Sequence, residues 1–374
     1  MKILILTNND IGLYKFRKEL IEALLKNNTS CGNEGRGYNE VYISTPYGQN
    51  VAIFQKMGCK YVESPIDRRG KNLVKDFKLI LHYFYIIKNI KPDVVLTYTI
   101  KPNIYGGMIC RIKHIPYIVN ITGLGTEIES EKLYSRLLLK LYKFGINKAD
   151  RVFFQNKSNK DLFKSKSIAI NNSALINGSG VNLDEFLFEK YPPKQFNEKY
   201  LFIGRIMKEK GISEFLDCAE NIKKKYSNVI FYIIGDYEDI TYKPRIDKLV
   251  SEKIVEYLGY QENVHSFMKE CNAVILPTYH EGMSNVLLES AATGRPVIAS
   301  KIPGCEEIFK EGSTGIGIKP KDSYSLINAT EYFLKLPYNY KKKMGYEARK
   351  HVEENFNRKL IVERYLKEID RILS

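Results

Sequence analysis

Four residues in the second half of the chain have the types and spacing to act on a charged, hydroxyl-rich ligand. Glu281 and Glu289 stand eight apart in YHEGMSNVLLESAATGRP (279–296), and Arg205 and Lys210 stand in GRIMKEKGI (204–212). Carboxylates accept hydrogen bonds from hydroxyl groups. Two fixed cations stabilise negative charge on a departing group, most strongly in the transition state. Arg can hold two phosphate oxygens at once, while Lys acts as a point charge. Taken singly, each motif has a plainer reading. The glutamates can be a loop residue and a solvated helix residue, and the cations can pair at the surface with Glu209 or Glu214.

The elements around them argue for more. AVILPT (273–278) reads as a buried strand and PVIAS (296–300) as the next one. Between them Ser284 can cap a short apolar helix, Gly294 ends it and Pro296 forbids its continuation. Strand, loop, helix, strand is one turn of a doubly wound α/β sheet, in which ligands sit outside the carboxyl ends of the strands. Glu281 then stands in the loop and Glu289 about one turn inside the helix. The backbone N–H groups of Gly282, Met283, Ser284 and Asn285 and the positive helix end face the crevice. An anion framed by carboxylates points to a polyol carrying phosphate. GRIMKEKGI likewise follows a strand, YLFIGR, and opens a helix.

Along the chain, KILILT (2–7), EVYISTP, KYVESP, DVVLTYT, YIVNITG and RVFFQN read as strands with helical segments between most of them. Such alternation predicts a parallel sheet covered on both faces. The loop NNDIG follows the first strand, a helix is expected over 14–27, and 27–39 is a polar, Gly- and Asn-rich loop. VNLDEFLFEKYPPKQFNEK (181–199) breaks the pattern, and a second alternation runs from YLFIGR through VIFYIIGD, VEYLGY, AVILPT, PVIAS and TGIGIKP. Two domains are predicted, 1–187 and 188–357, with no sequence repeat between them.

The chain has 374 residues and 44% hydrophobic content, enough for two cores. Its six cysteines form no C-x-x-C pair, which speaks against a metal site or disulfide framework and suits a reducing cytoplasm. MKILILT runs straight into a strand, so no signal peptide is expected, and no run reaches the roughly 18–20 apolar residues of a spanning helix. Residues 1–190 hold 29 Lys and Arg against 17 Asp and Glu, +12 of the net +15. A basic half suits nucleic acid, an anionic membrane or an anionic substrate, and no nucleic-acid motif supports the first. DRRGKNLVKDFKLILHYFYIIKNI (67–90) joins Arg68, Arg69, Lys71, Lys75 and Lys78 to Phe77, Tyr83, Phe84 and Tyr85. It reads equally as a core helix with a solvated start or as a helix that docks on anionic lipid.

E-x7-E in this setting, with G-R-x4-K-G upstream, resembles the retaining glycosyltransferases of family 4. The resemblance spans most of the chain and implies the GT-B architecture, two Rossmann-like domains facing a cleft, with a last helix (358–374) returning to the first domain. It implies that Arg205 and Lys210 hold the donor diphosphate, Glu281 the sugar hydroxyls and Glu289 the ribose. TYTIKPNIYGG (97–107) and NITGLGT (120–126) resemble a branch that builds capsules, lipopolysaccharides and lipid-linked oligosaccharides. In that branch Lys101, Asn103 and Gly106 would line the acceptor side, with Thr122, Gly123 and the residues to Gly125 beneath the donor sugar. Gly12 falls where backbone approaches the donor, or is a plain turn glycine. Thr122 stands where many members have a donor-contacting His, so that role does not carry over. His280 reads as a loop spacer, and His82 and His114 as structural. No D-x-D triplet occurs, and Asp236 and Asp239 are spaced wrongly for one.

The resemblance implies no metal and no cofactor. It implies a nucleotide-sugar donor, UDP-linked by preference, and a glycan or polyprenyl-diphosphate-linked acceptor. The enzyme would move a hexose or N-acetylhexosamine from that donor to that acceptor, in the cytoplasm and peripherally associated with the inner face of an anionic plasma membrane. Two rival readings are a nucleotide-sugar 2-epimerase of the same fold and a non-catalytic nucleotide-sugar-binding subunit.

Overall fold

The computed structural model describes residues 1–26, 39–67, 72–123, 133–194 and 197–374. Arg68, Arg69, Lys71, Gly125 and most of the 27–39 loop lie outside the described residues. The chain forms two compact units, one of Met1–Ser179 with Arg358–Ser374 and one of Gly180–Asn357. The division falls at 179/180 rather than at 187/188, because residues 180–194 are built into the second unit. Phe186 is buried in its core and Tyr191 Oη donates to Asn272 O at 3.0 Å.

The first unit carries strands β1 (Lys2–Leu6), β2 (Glu40–Thr45), β3 (Lys60–Glu63), β4 (Val94–Tyr98), β5 (Tyr117–Ile121), β6 (Arg151–Phe154) and β7 (Ser173–Leu175). All pairings are parallel, in the order β3-β2-β1-β4-β5-β6-β7. Its helices are α1 (Asp10–Leu25), α2 (Val51–Lys56), α3 (Leu73–Ile90), α4 (Gly107–Lys113), α5 (Leu133–Ile146) and α6 (Lys157–Ser165). Both faces of this sheet are covered, and the strands divide by parity. Leu4, Leu6 and Val95 enter the core beneath α3 to α6, while Ile3, Ile5, Val94 and Leu96 enter the core beneath α1 and α2. Each fully buried aliphatic side chain contributes roughly 1.5–3 kcal/mol before ordering costs.

The second unit carries β8 (Glu198–Ile203), β9 (Val229–Ile234), β10 (Val255–Tyr257), β11 (Ala273–Leu276), β12 (Val297–Ser300) and β13 (Gly315–Ile318), in the order β10-β9-β8-β11-β12-β13. Its helices are α7 (Ile212–Lys225), α8 (Lys243–Ser251), α9 (His265–Met268), α10 (Asn285–Ala292), α11 (Ser323–Lys335) and α12 (Tyr338–Asn355). The last helix, α13 (Arg358–Leu373), belongs to the first unit, where Ile361, Tyr365 and Ile369 are buried with α1. Arg358 pairs with Glu19 at 2.9 Å, Arg151 pairs with Glu368 at 2.8 Å, and Tyr365 Oη donates to Asn120 Oδ1.

Two sequence expectations change. Helix α1 starts at Asp10 rather than 14, because Asn9 caps it and accepts from Gly12 N at 2.6 Å. Gly12 therefore lies in the first helical turn, with its N–H already committed. The aromatic residues of 67–90 do not share one fate: Tyr83 is fully buried in α3, whereas Phe77 and Tyr85 are exposed.

Candidate functional site

In the second unit the two sequence motifs meet at the carboxyl ends of β8 and β11. After β8 the chain makes a short 3₁₀ turn, Lys208–Lys210, and α7 begins. Gly211 has φ +73°, and a Cβ there would lie 2.0 Å from Pro277 O. Only glycine lets this turn close against the end of β11. The contact is zipped by Tyr279 N to Glu209 O at 2.9 Å and by Thr278 Oγ1 to the same oxygen at 3.2 Å. Lys210 Nζ is thereby brought 2.6 Å from Glu281 Oε1, with side chains 22% and 13% exposed. Residues seventy-one apart in sequence thus form one cation–carboxylate pair.

Helix α10 starts beside this pair. Ser284 is its N-cap, and its hydroxyl accepts from Leu287 N at 3.5 Å, a long bond. Ser284 N donates to Gly304 O at 2.8 Å, so that N–H is spent inside the protein. Met283 turns into the core, 6% exposed, and offers only its backbone. Gly282 and Asn285 flank it at the helix start. Glu289 lies a turn into α10 and is 4% exposed. Arg205 follows β8 and pairs with Glu238 at 3.2 Å on the neighbouring loop. Neither Arg205 nor Lys210 pairs with Glu209 or Glu214 among the described residues.

Glu214 has a different partner, which the sequence did not announce. Tyr279 Oη donates to Glu214 Oε1 at 2.6 Å in a buried setting. Burial and then the Glu214 carboxylate push the Tyr279 phenol up. The bond braces the loop that carries Glu281 against the helix that follows Lys210. Cys305 is buried nearby, its thiol pushed up by burial and then by Glu281. Asp239 caps the turn Ile240–Tyr242 through Thr241 N at 3.0 Å. Among the described residues no group of three or more His, Cys, Asp or Glu converges as metal ligands would.

In the first unit the expected acceptor-side residues follow β4 and β5. Lys101 Nζ lies 2.6 Å from Asp76 Oδ1 on α3, and Tyr105 Oη donates to the other oxygen at 3.0 Å. Asn103 does not line a surface. It is 1% exposed, its Oδ1 accepts from Thr97 Oγ1 at 2.8 Å and its Nδ2 donates to Asn120 O at 2.8 Å. Its amide ties β4 to β5, which a sequence motif cannot distinguish from ligand contact. Gly106 is buried in a π-helical turn, Pro102–Gly106. Thr99, just before that turn, takes φ +73°, and its buried Oγ1 has no partner among the described residues. A strained non-glycine residue beside a π-turn is a frequent signature of functional positions. Thr122 and Gly123 follow β5, both partly exposed.

Residues 183–351 match the family described as glycosyl transferases group 1, and residues 36–156 match glycosyl transferase 4-like. The chain is 25% identical, over the full length of both proteins, to the N,N'-diacetylbacillosaminyl-diphospho-undecaprenol alpha-1,3-N-acetylgalactosaminyltransferase of Campylobacter jejuni. It is 27% identical to the UDP-Gal:alpha-D-GlcNAc-diphosphoundecaprenol alpha-1,3-galactosyltransferase of Escherichia coli, covering 70% of this chain and 71% of the other. Among solved structures, Anabaena HepE in complex with UDP superposes with a TM-score of 0.78 at 16% identity, covering 99% of this chain and 100% of that one. The fold, the paired motifs and these matches together place the chain among the GT-B glycosyltransferases, in the family of group 1 and 4-like glycosyl transferases.

Proposed function

We propose that this enzyme transfers a hexose or N-acetylhexosamine, with retention, from a UDP-sugar to a polyprenyl-diphosphate-linked glycan in bacterial surface polysaccharide synthesis. The observation that carries the reading is the 2.6 Å contact of Lys210 with Glu281 at the start of α10. It sets a cation for the leaving diphosphate beside a carboxylate for the sugar hydroxyls, under a helix N-terminus. Arg205 is the second diphosphate cation. Its present partner Glu238 is exchanged for phosphate, a stronger and bidentate match. Glu289 takes the ribose hydroxyls. The named activities of the Campylobacter and Escherichia relatives support the lipid-linked acceptor, and the latter supports UDP.

Membrane attachment is supported by α3. Val74, Phe77, Leu81 and Tyr85 are 65, 60, 51 and 66% exposed along one helical stripe, beside exposed Lys75 and Lys78. Among the described residues no helix is long and apolar enough to cross a membrane. An exposed apolar stripe edged with lysine suits the plane of an anionic leaflet, each Lys contributing about 1 kcal/mol.

The test is transfer itself. With UDP-sugars as donors, an undecaprenyl-diphosphate-linked glycan should accept sugar with its anomeric configuration kept. The same reaction should proceed in EDTA, since Arg205 and Lys210 supply the charge. Transfer only to soluble sugar, inversion, or activity that EDTA abolishes and Mg²⁺ restores would each remove one part of the reading. Conversion of the nucleotide sugar without acceptor would favour the 2-epimerase.

A further inference from the structure

The second unit has a concave surface by the amino end of β12, at the opposite end of the strands from Glu281. Gly294 joins the end of α10 to the amino end of β12, and beside it lies a groove of about 740 Å³. Phe188, Tyr338 and Tyr346 line it together with Lys190, Lys342 and Lys343. The Phe188 and Tyr346 rings, 43 and 59% exposed, stand edge to face with centroids 6.3 Å apart. The three lysines are exposed and have no carboxylate partner among the described residues. Aromatic faces with a few cations form a recognition surface for a ring-shaped anionic ligand.

The walls of the groove are held rigidly. Arg295 is fully buried and donates to six backbone carbonyls, among them Glu189 O and Lys190 O at 2.9 Å each and Lys269 O at 2.6 Å. It pins the segment carrying Phe188 and Lys190 to the ends of α9 and α10. Gly294, at φ +79°, leaves room for the Phe188 ring, whose Cε2 would lie 2.7 Å from any Cβ there. Pre-organised walls lower the ordering cost of binding.

We propose that this groove is a non-catalytic binding site for an anionic glycan, a chain of sugars carrying carboxylate or phosphate groups. The inference rests on the chain being a glycosyltransferase and on no particular donor or acceptor. The apolar faces of sugar rings lie against Phe188 and Tyr346, and the acidic groups meet the three lysines. Concavity favours such a chain over a bilayer, which needs a convex or flat face. Tethering the product glycan here would raise its effective concentration at the transfer site.

The test is calorimetric titration of the full-length protein with an oligomannuronate and with neutral maltohexaose, without donor, so transfer activity plays no part. Oligomannuronate should bind, more weakly in high salt, and maltohexaose should not. The combined variant Lys190→Glu, Lys342→Glu, Lys343→Glu should weaken binding by about tenfold or more. Tyr346→Ala should weaken it without changing charge, and Glu281→Gln should leave it intact. Absence of oligomannuronate binding, equal binding by the lysine variant, or equal affinity for maltohexaose would overturn the proposal. So would capture on phosphatidylglycerol vesicles or oligothymidylate that the lysine variant alone loses, if oligomannuronate does not bind.

Discussion

The two ends of α10 carry charged groups that are handled in opposite ways. At its start, Glu281 and Lys210 form a pair that keeps some contact with solvent, and Arg205 is held by one carboxylate on a nearby loop. At its end, Arg295 is sealed from water and satisfied by backbone carbonyls in place of a carboxylate. A pair that is partly wet can exchange a partner for a ligand. A cation that has six carbonyl contacts and no water cannot be released without exposing all of them. The first end keeps its charges exchangeable and the second fixes shape.

The largest expected effect is on shape. Arg295→Met leaves several buried carbonyls without donors and should cost about 3–5 kcal/mol of stability, read by urea unfolding. The molecules that remain folded should still bind UDP. If stability holds and nucleotide binding is lost, the contrast between the two ends is wrong.

At the other end, Arg205→Ala should lower turnover by about 10²–10³-fold while changing stability by less than about 0.5 kcal/mol. Glu281→Gln should likewise act mainly on turnover by misplacing the sugar. Near-normal turnover in Arg205→Ala would sink its role at the diphosphate. A smaller change is expected for Glu289→Gln, about tenfold in the Kd of UDP, because the ribose contact proposed for Glu289 would be shared by ground and transition states. Identical UDP affinity in the Glu281 and Glu289 variants would erase the division of labour.

The smallest effect is a pH dependence on the shape side. His351 lies on α12, the helix packed behind α10, and burial holds its pKa below the ordinary 6.5. The unfolded chain therefore takes up the proton first. Its contribution is fully present above about pH 6.5 and is lost as pH falls through the lower folded value. The melting temperature should decline more steeply on acidification than in His351→Gln, and equal slopes would remove His351 as the cause.

Much of this was legible from residue order. The alternating apolar strands, the cap at Ser284, the stop at Gly294 and Pro296, and the paired motifs are local patterns. Strand parity and helix caps depend on neighbours within a few residues, so the sequence determined the two parallel sheets and the edge at which Glu281 and Arg205 emerge. β7 was missed because Ser173–Leu175 is too short to show a period. The start of α1 was misplaced because Asn9 acts as a cap inside what reads as a loop.

Tertiary structure alone decided the rest. Lys210 reaches Glu281 only because the Gly211 turn closes on Pro277, a contact between segments far apart in the chain. Asn103 sits in a motif that looks ligand-facing, yet its amide is used up by Thr97 and Asn120 on adjacent strands. Arg295, between a glycine and a proline, carries no apolar signal and is among the largest fully buried side chains of the described residues. A charged side chain carries no local mark of who will neutralise it. Its partner is set by which carbonyls or carboxylates the folded chain brings within about 3 Å, and that is a property of packing.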